Sequence, residues 1–231
     1  MKQARYMVLF SLVLWLNGNM ALAQAIQTTD SISEKKTLIY TYSIKDNIAA
    51  PTWRTTQEAF EEASALEADM VILQLNTYGG EVSAADSIRT KLLNAPMPVY
   101  VFIDDNAASA GALIAIACDS IYMKPGGKIG AATVVNQTGE QVPDKYQSYM
   151  RATMRATAEA HGKDTIVSGS DTIISWHRDP AIAEAMVDPR LYVEGVSDTG
   201  QVLTFTASEA MIHGYCEGTA ASIEEVISQL G

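Results

Sequence analysis

Two cysteines, three histidines and four phenylalanines in 231 residues leave little material for several common chemistries. Two cysteines cannot form a disulfide framework in a chain this long. The histidines, and the scattered acids including Asp104-Asp105, show no metal-ligand spacing, so neither a metal nor any other cofactor is implied. Lys and Arg number 16 against 27 Asp and Glu, a net charge of -11, which makes the chain a poor candidate for binding nucleic acid, since that needs clustered Lys and Arg. Gly-x-Ser-x-Gly is missing, which argues against a standard α/β hydrolase, and Gly126-Gly127-Lys128 lacks the spacing of a phosphate loop. There are no short-period repeats and no Pro-rich linker. Past the first residues, no run is long and apolar enough to span a bilayer.

The N-terminus supplies the one targeting signal. Lys2 and Arg5 precede the apolar stretch Met7–Leu16, and Ala21-Leu22-Ala23 offers a small-x-small cleavage pattern. Residues 1–23 read as a signal peptide, with retention as an uncleaved anchor the competing reading. The chain is then exported, to the periplasm or another extracytoplasmic space. Removing 23 residues from 231 leaves 208, and loss of Lys2 and Arg5 takes the charge from -11 to -13. That length suits one domain with a substantial core. An exported chain could join Cys118 to Cys216, but Cys118 lies in an apolar run and a buried free thiol suits it equally.

Residues 24–36 are polar and rich in Ser and Thr, a flexible lead-in; residues 37–231 form the domain. Strands are expected at Thr37–Ile44, Met70–Asn76, Val99–Ile103, Ser120–Met123 and Leu203–Phe205, with Ile129–Val135 extended. Helices are expected at Pro51–Ala68, Val82–Asn94, after Ser109, at Tyr146–His161, Asp179–Val187, after Thr206 and from Ser222 to Gln229. Thr206/Glu209 and Ser222/Glu225 have capping-box spacing. Alternating strands and helices predict an α/β fold with a largely parallel sheet flanked by helices.

Sites in such folds collect beyond the carboxyl ends of the strands. Two loops should meet there. Thr77–Glu81 carries Gly79-Gly80, and Asp104–Gly111 carries Ser109 among Ala107, Ala108, Ala110 and Gly111, directly before the apolar run Ala112–Cys118. A serine at a buried helix start could act as a nucleophile met by backbone donors. It could equally be an ordinary N-cap, and those six residues alone favour the cap. Gly-Gly permits close backbone approach to a ligand and serves a tight turn equally well. A nucleophile needs a base. His161 and His213 sit at helix ends before glycine, and His177 lies in a polar connection, so none stands out. Lys145 opens the long helix, where its charged form is disfavoured; composition alone makes it a solvated surface lysine.

The ordered series Leu75–Gly80, Ala108–Gly111, Ile129–Ala132, Ala158–Gly162, Glu184–Asp188 and Leu203–Ala210 resembles the ClpP-class serine proteases of the NfeD family, above all their stomatin-operon-partner protease domain. The resemblance covers nearly all of the mature chain and implies the ClpP/crotonase fold with a Ser-Lys dyad. By position Ser109 matches the nucleophile and Lys145 the general base. Gly80 and Ala110 match the oxyanion donors, and Gly79 sets the turn. It also implies cleavage of hydrophobic peptide segments, including those of stomatin-like membrane partners, and a homodimer. Where the family carries Pro before Gly-Gly, this chain has Tyr78. Long members continue into membrane helices and a small β-barrel, whereas this sequence stops at Gly231 as a short or cut form, so membrane association stays open. Two other readings compete: a catalytically inactive peptide-binding module of the same fold, and an acyl-CoA enzyme of crotonase type. The latter gives Ser109 no role, and export removes it from CoA pools.

Overall fold

Two strands buried on both faces set the architecture. β2 (Met70–Thr77) and β3 (Val99–Ala108) are apolar over consecutive residues, the pattern of a parallel sheet covered on both sides. They lie in a computed structural model of the chain that describes residues 36–168 and 171–230. The signal peptide, and all of the lead-in except Lys36, fall outside the described residues.

The remaining strands are β1 (Ile39–Ile44), β4 (Ser120–Met123), β5 (Lys128–Gly130), β6 (Lys163–Ser168), β7 (Asp171–Trp176), β8 (Thr204–Thr206) and β9 (Gly218–Thr219). The helices are α1 (Ala50–Ala65), α2 (Val82–Leu93), α3 (Ala110–Ile116), α4 (Asp144–Glu159), α5 (Pro180–Ala185), α6 (Ala207–Ile212) and α7 (Ile223–Gln229). Five strands run parallel in the order β1-β2-β3-β4-β9. β5 pairs in parallel with the far end of β3, and β8 closes antiparallel on β5. The expected fold class is the one observed.

The period of two along each strand divides the core. Val71, Leu73 and Leu75 of β2, with Val99, Val101 and Ile103 of β3, enter the larger cluster, which also holds every residue of α3 except Gly111. Ile72 and Phe102 face the other way and pack with Val226 of α7. Each fully buried Leu, Ile or Val contributes about 1.5–3 kcal/mol. Cys118 and Cys216 are both free and buried, so the pairing left open by the sequence is not made. Burial pushes the Cys216 thiol up to about 11.

Helix starts follow the sequence closely. The Thr206 hydroxyl accepts the Glu209 N–H, and the Glu209 carboxylate accepts the Thr206 N–H at 2.8 Å, a complete capping box. At Ser222 only half of the box forms, because Glu225 accepts the N–H of Ala221 instead.

Three elements differ from expectation. β3 does not stop at Asp104-Asp105 but continues to Ala108. Its register with β2 steps from Leu75/Ile103 to Thr77/Ala107, so β3 bulges by two residues over Asp104–Asn106 and keeps pairing. The extended segment from Ile129 ends at Gly130 as a strand. The third is the antiparallel hairpin of β6 and β7, which the sequence reading left as a polar connection. Its signal is the pair of β-branched runs Thr165–Val167 and Thr172–Ile174 around Gly169. That signal is short and stands outside the strand–helix alternation.

An ion-pair network fastens the start of α4 to the segment after α5. Asp188, buried, receives Arg151 Nη1 at 2.7 Å and Arg190 Nη2 at 2.7 Å, and Arg190 reaches Asp144 at 3.0 Å. Hydrogen bonds from Arg190 hold the Asp188 carboxyl down at about 2. Above about pH 4 both folded and unfolded chains carry the Asp188 charge, and the stabilisation is complete. As pH falls from about 4 towards 2, only the folded chain keeps that charge, and the stabilisation is lost. Asp188→Asn should therefore lower the Tm by roughly 5 °C at pH 7. Thermal unfolding across a pH series checks this, with the gap to the wild type closing as pH drops from 4 towards 2.

Candidate active site

The site is built from the end of β3 upward. Past its bulge, β3 keeps β2 on one side through Thr77 and Ala107, and on the other side β5 takes over from β4, pairing Ala107 with Ile129 and Ala108 with Gly130. The chain must then reverse into α3 within one residue, and that residue is Ser109. Its backbone sits at φ 55° and ψ -119°, a region that costs a non-glycine residue about 1–3 kcal/mol. The Ser109 N–H donates to Gly130 O at 2.9 Å, and Ser109 O accepts the Ala112 N–H at 3.0 Å. The residue thus occupies the N-cap position, but its hydroxyl makes no cap hydrogen bond. The cap reading holds for the backbone and fails for the side chain, whose oxygen is left for another use.

Small neighbours are a steric requirement. A Cβ on Gly111 would stand 2.6 Å from Thr77 Cγ2. Gly79, at φ 116°, lies directly against the serine: a Cβ there would meet Ser109 Cβ at 2.6 Å and Oγ at 2.9 Å. Gly80 packs on the backbone of Ile48, whose carbonyl oxygen would be 2.1 Å from an added Cβ. The loop is held by Ile48, which donates to Gly79 O at 2.8 Å and accepts from Glu81 at 2.7 Å. Buried Thr77 donates its hydroxyl to Asp46 O at 2.8 Å and accepts the Gly79 N–H at 3.1 Å. The turn and cap bonds of the two loops thus use the N–H groups of Gly79, Glu81, Ser109 and Ala112. Among the described residues, those of Gly80 and Ala110 take no part in them.

These loops open into a cavity of about 570 Å³. Tyr78, Gly79, Gly80, Ser109 and Ala110 line one side, and the segment Ala132–Gln137 lines the other. Val82 and Ala85 of α2 and Met150 of α4 add apolar lining. Tyr78 is 82% exposed at the rim, where its ring faces solvent instead of filling the cavity.

Sequence reasoning missed what holds the second wall. Gln147, buried in α4, accepts the Val134 N–H at 3.0 Å and donates to Val134 O at 2.6 Å. Val142 N–H also donates to Val134 O at 3.2 Å. The signal was available: Gln147 opens the buried stripe of α4 that Met150 and Met154 continue at i+3 and i+7. Buried Thr77 and the Ile48 backbone were likewise unread.

The five sequence-predicted site residues separate into two groups. Ser109, Gly79, Gly80 and Ala110 come together around the cavity. Lys145, second residue of α4, is exposed, lies outside the cavity lining and holds its ammonium 4.7 Å from the Tyr146 ring centroid. The histidines are spent elsewhere. His161 Nε2 donates to Ile116 O at 2.7 Å at the far end of α3, and burial lowers its pKa. His177 lies between Asp164 and Glu217, and His213 stacks on Phe205. Among the described residues no group of His, Cys, Asp and Glu could hold a metal ion, and no helix is long and apolar enough to cross a membrane.

Comparison with known proteins identifies the fold and the family. Over 200 residues the chain is 33% identical to the membrane protein NfeD1b of Bacillus subtilis (strain 168), covering 86% of this chain and 42% of that protein. It is 26% identical over 202 residues to the membrane-bound protease PH1510 of Pyrococcus horikoshii, covering 84% and 40%. The chain thus spans about two fifths of the length of these relatives. Among solved structures, a lysine-to-alanine mutant of the 1510-N membrane-bound stomatin-specific protease, in complex with a substrate peptide, superposes with a TM-score of 0.68. It shares 25% identity and covers 84% of this chain and 80% of that one. At 18% identity the fold alone is shared with ClpP1 from Listeria monocytogenes (TM-score 0.56, 79% and 92% covered). At 16% identity it is shared with an enoyl-CoA hydratase from Mycobacterium ulcerans (TM-score 0.55, 84% and 78% covered). The fold is thus that of ClpP and crotonase, and with residues 38–172 matching the family described as NfeD1b, N-terminal domain, the chain belongs to that family.

Proposed function

We propose that the chain is an exported serine endopeptidase that cleaves hydrophobic peptide segments, with a stomatin-like membrane protein as the partner class. The observation that carries this is the strained Ser109, its hydroxyl unused as a cap, packed against Gly79 at the mouth of a partly apolar cavity. In this reading Ser109 Oγ attacks the scissile carbonyl, and the N–H groups of Gly80 and Ala110 receive the developing oxyanion. Lys145 takes the serine proton and returns it to the leaving amine. For that its ammonium must leave the Tyr146 ring and reach the Ser109 hydroxyl. The apolar lining of Val82, Ala85 and Met150 suits a hydrophobic side chain of the substrate. Further support comes from the relatives: PH1510 is named a membrane-bound protease. Its N-terminal domain is described as stomatin-specific and was studied as a serine-to-alanine mutant and, with bound substrate peptide, as a lysine-to-alanine mutant.

A second reading, an inactive peptide-binding module, draws on the position of Lys145 outside the cavity lining and on Tyr78 at the rim. Reaction with a fluorophosphonate separates the two. The wild type should be labelled and Ser109→Ala should not; undiminished labelling of that variant removes Ser109 as nucleophile, and an unreactive wild type that still binds hydrophobic peptides makes the chain a binding module.

Lys145→Ala should lower turnover of a hydrophobic peptide by about 10²–10⁴-fold while circular dichroism and Tm stay unchanged. Retained turnover assigns the base to another residue. Gly79→Ala should place a methyl on the Ser109 hydroxyl and cut the labelling rate by at least about 10-fold. A folded Gly79→Ala protein that labels at the wild-type rate shows that the serine does not need this contact.

A further inference from the structure

Among the described residues, Glu81 is the only charged one that lines the cavity of about 570 Å³; everything else there is apolar or neutral. Glu81 directly follows Gly80 and is the N-cap residue of α2. Its backbone is held at both ends. The N–H donates to Ile48 O at 2.7 Å, and the carbonyl accepts the Ala85 N–H at 3.0 Å. Its side chain is exposed and makes no cap hydrogen bond. Among the described residues the carboxylate has neither a hydrogen bond nor an ion pair. An acid at a helix start often does no more than favour the helix dipole. Glutamate is not among the residues favoured at an N-cap, however, and this one stands in the cavity wall beside the Gly-Gly turn.

The surroundings of Glu81 favour a cation. The Tyr78 ring, three residues back on the same rim, is 82% exposed, and an aromatic face attracts Lys and Arg. Beyond Tyr78 a smaller cavity of about 340 Å³ shares Asn47, Tyr78 and Gly79 with the first. It is lined by Lys45 and Asp46, one charge of each sign, so it does not offset the carboxylate. Nor does the chain as a whole, at a net charge of -11.

We infer that Glu81, beside the Tyr78 ring, is a specificity residue that selects peptides carrying a Lys or Arg next to their hydrophobic segment. The inference rests on the reading of the cavity as a peptide site, whether or not Ser109 cuts the peptide. Val82, Ala85 and Met150 receive the hydrophobic part. The carboxylate accepts a charge-assisted hydrogen bond from the ammonium or guanidinium. An acidic residue at the same place meets Glu81 as a like charge and is disfavoured.

The test is binding of short hydrophobic peptides, each with a single Lys or Glu at a varied position, to the full chain carrying Ser109→Ala, which leaves them uncut. Fluorescence anisotropy reads the Kd. An exposed ion pair changes Kd by up to about fivefold. Comparing Lys with Glu adds repulsion to attraction, so at one position or more the Lys peptide should bind at least about fivefold more tightly at low salt. In about 1 M salt, where the screening length is about 3 Å, the preference should shrink. Glu81→Lys should reverse it and Glu81→Gln should abolish it, the second variant deciding the matter if the first fails to fold. Glu159→Lys makes the same change in net charge as Glu81→Lys, at the exposed last residue of α4, and should leave the preference in place. Equal binding of the Lys and Glu peptides overturns the inference and leaves the peptide site standing. So does a preference that Glu159→Lys moves as far as Glu81→Lys does. Peptides that fail to bind at all remove the site and the inference together. Fluorophosphonate reactivity reports on Ser109 and does not enter, so the peptidase reading and this one fail separately.

Discussion

The reversal from β3 into α3 is the constraint on which the rest of the site depends. Ser109 must adopt φ 55° there, and the strain persists only because its surroundings over-determine it. On the strand side its N–H is fixed by Gly130. On the helix side, α3 is anchored by seven buried residues; at about 1.5–3 kcal/mol for each of Leu113, Ile114 and Ile116, their burial outweighs a strain of about 1–3 kcal/mol. The same geometry dictates the composition around it. With Thr77 Cγ2 standing where a Gly111 Cβ would go, and Ser109 Oγ beside the place of a Gly79 Cβ, larger side chains have no room. Smallness at these positions is a packing result that also clears the approach to the hydroxyl.

The two loops that line the cavity are secured by different buried polar groups, neither of which lines it. On the glycine side Thr77 and the Ile48 backbone tie the loop to the segment after β1. On the other side Gln147 ties Val134 to α4. A buried amide or hydroxyl without a partner costs about 1–3 kcal/mol, so each bond strongly favours one loop position. The width of the cavity is therefore set by two independent clamps. One is centred on a β-strand end, and the other on the second turn of a helix.

Much of this was legible in the sequence where a local rule and the global fold agree. The continuous apolar run Met70–Leu75, the Thr206/Glu209 box and the buried run after Ser109 each have one stable solution. What failed to show were features decided by register. Asp104-Asp105 looks like a strand end because polar residues usually stop a buried strand. Here a two-residue bulge turns Asp104 towards Gln74 and Lys124 and lets β3 go on. The unused hydroxyl of Ser109 was equally invisible, since a serine before a helix normally caps it. Thr77 and Gln147 carry no motif; only their burial, known once the layers are assembled, marks them as clamps.

The proposed dyad joins two parts of unequal mechanical standing. The serine is built into the junction of a central strand and a wholly buried helix, and moving it would disturb the core. The lysine is carried by the first turn of α4, ahead of the Gln147 clamp, on an exposed surface where Tyr146 holds its ammonium. Asp144, the residue before the lysine, is bound to Arg190 and Arg151, so the ion pairs around Asp188 hold the start of α4 in place. In the proposed dyad, Ser109 thus belongs to the fixed core of the fold, while Lys145 stands on the exposed start of a helix. Peptide binding needs only the fixed half of this arrangement, and bond cleavage needs both.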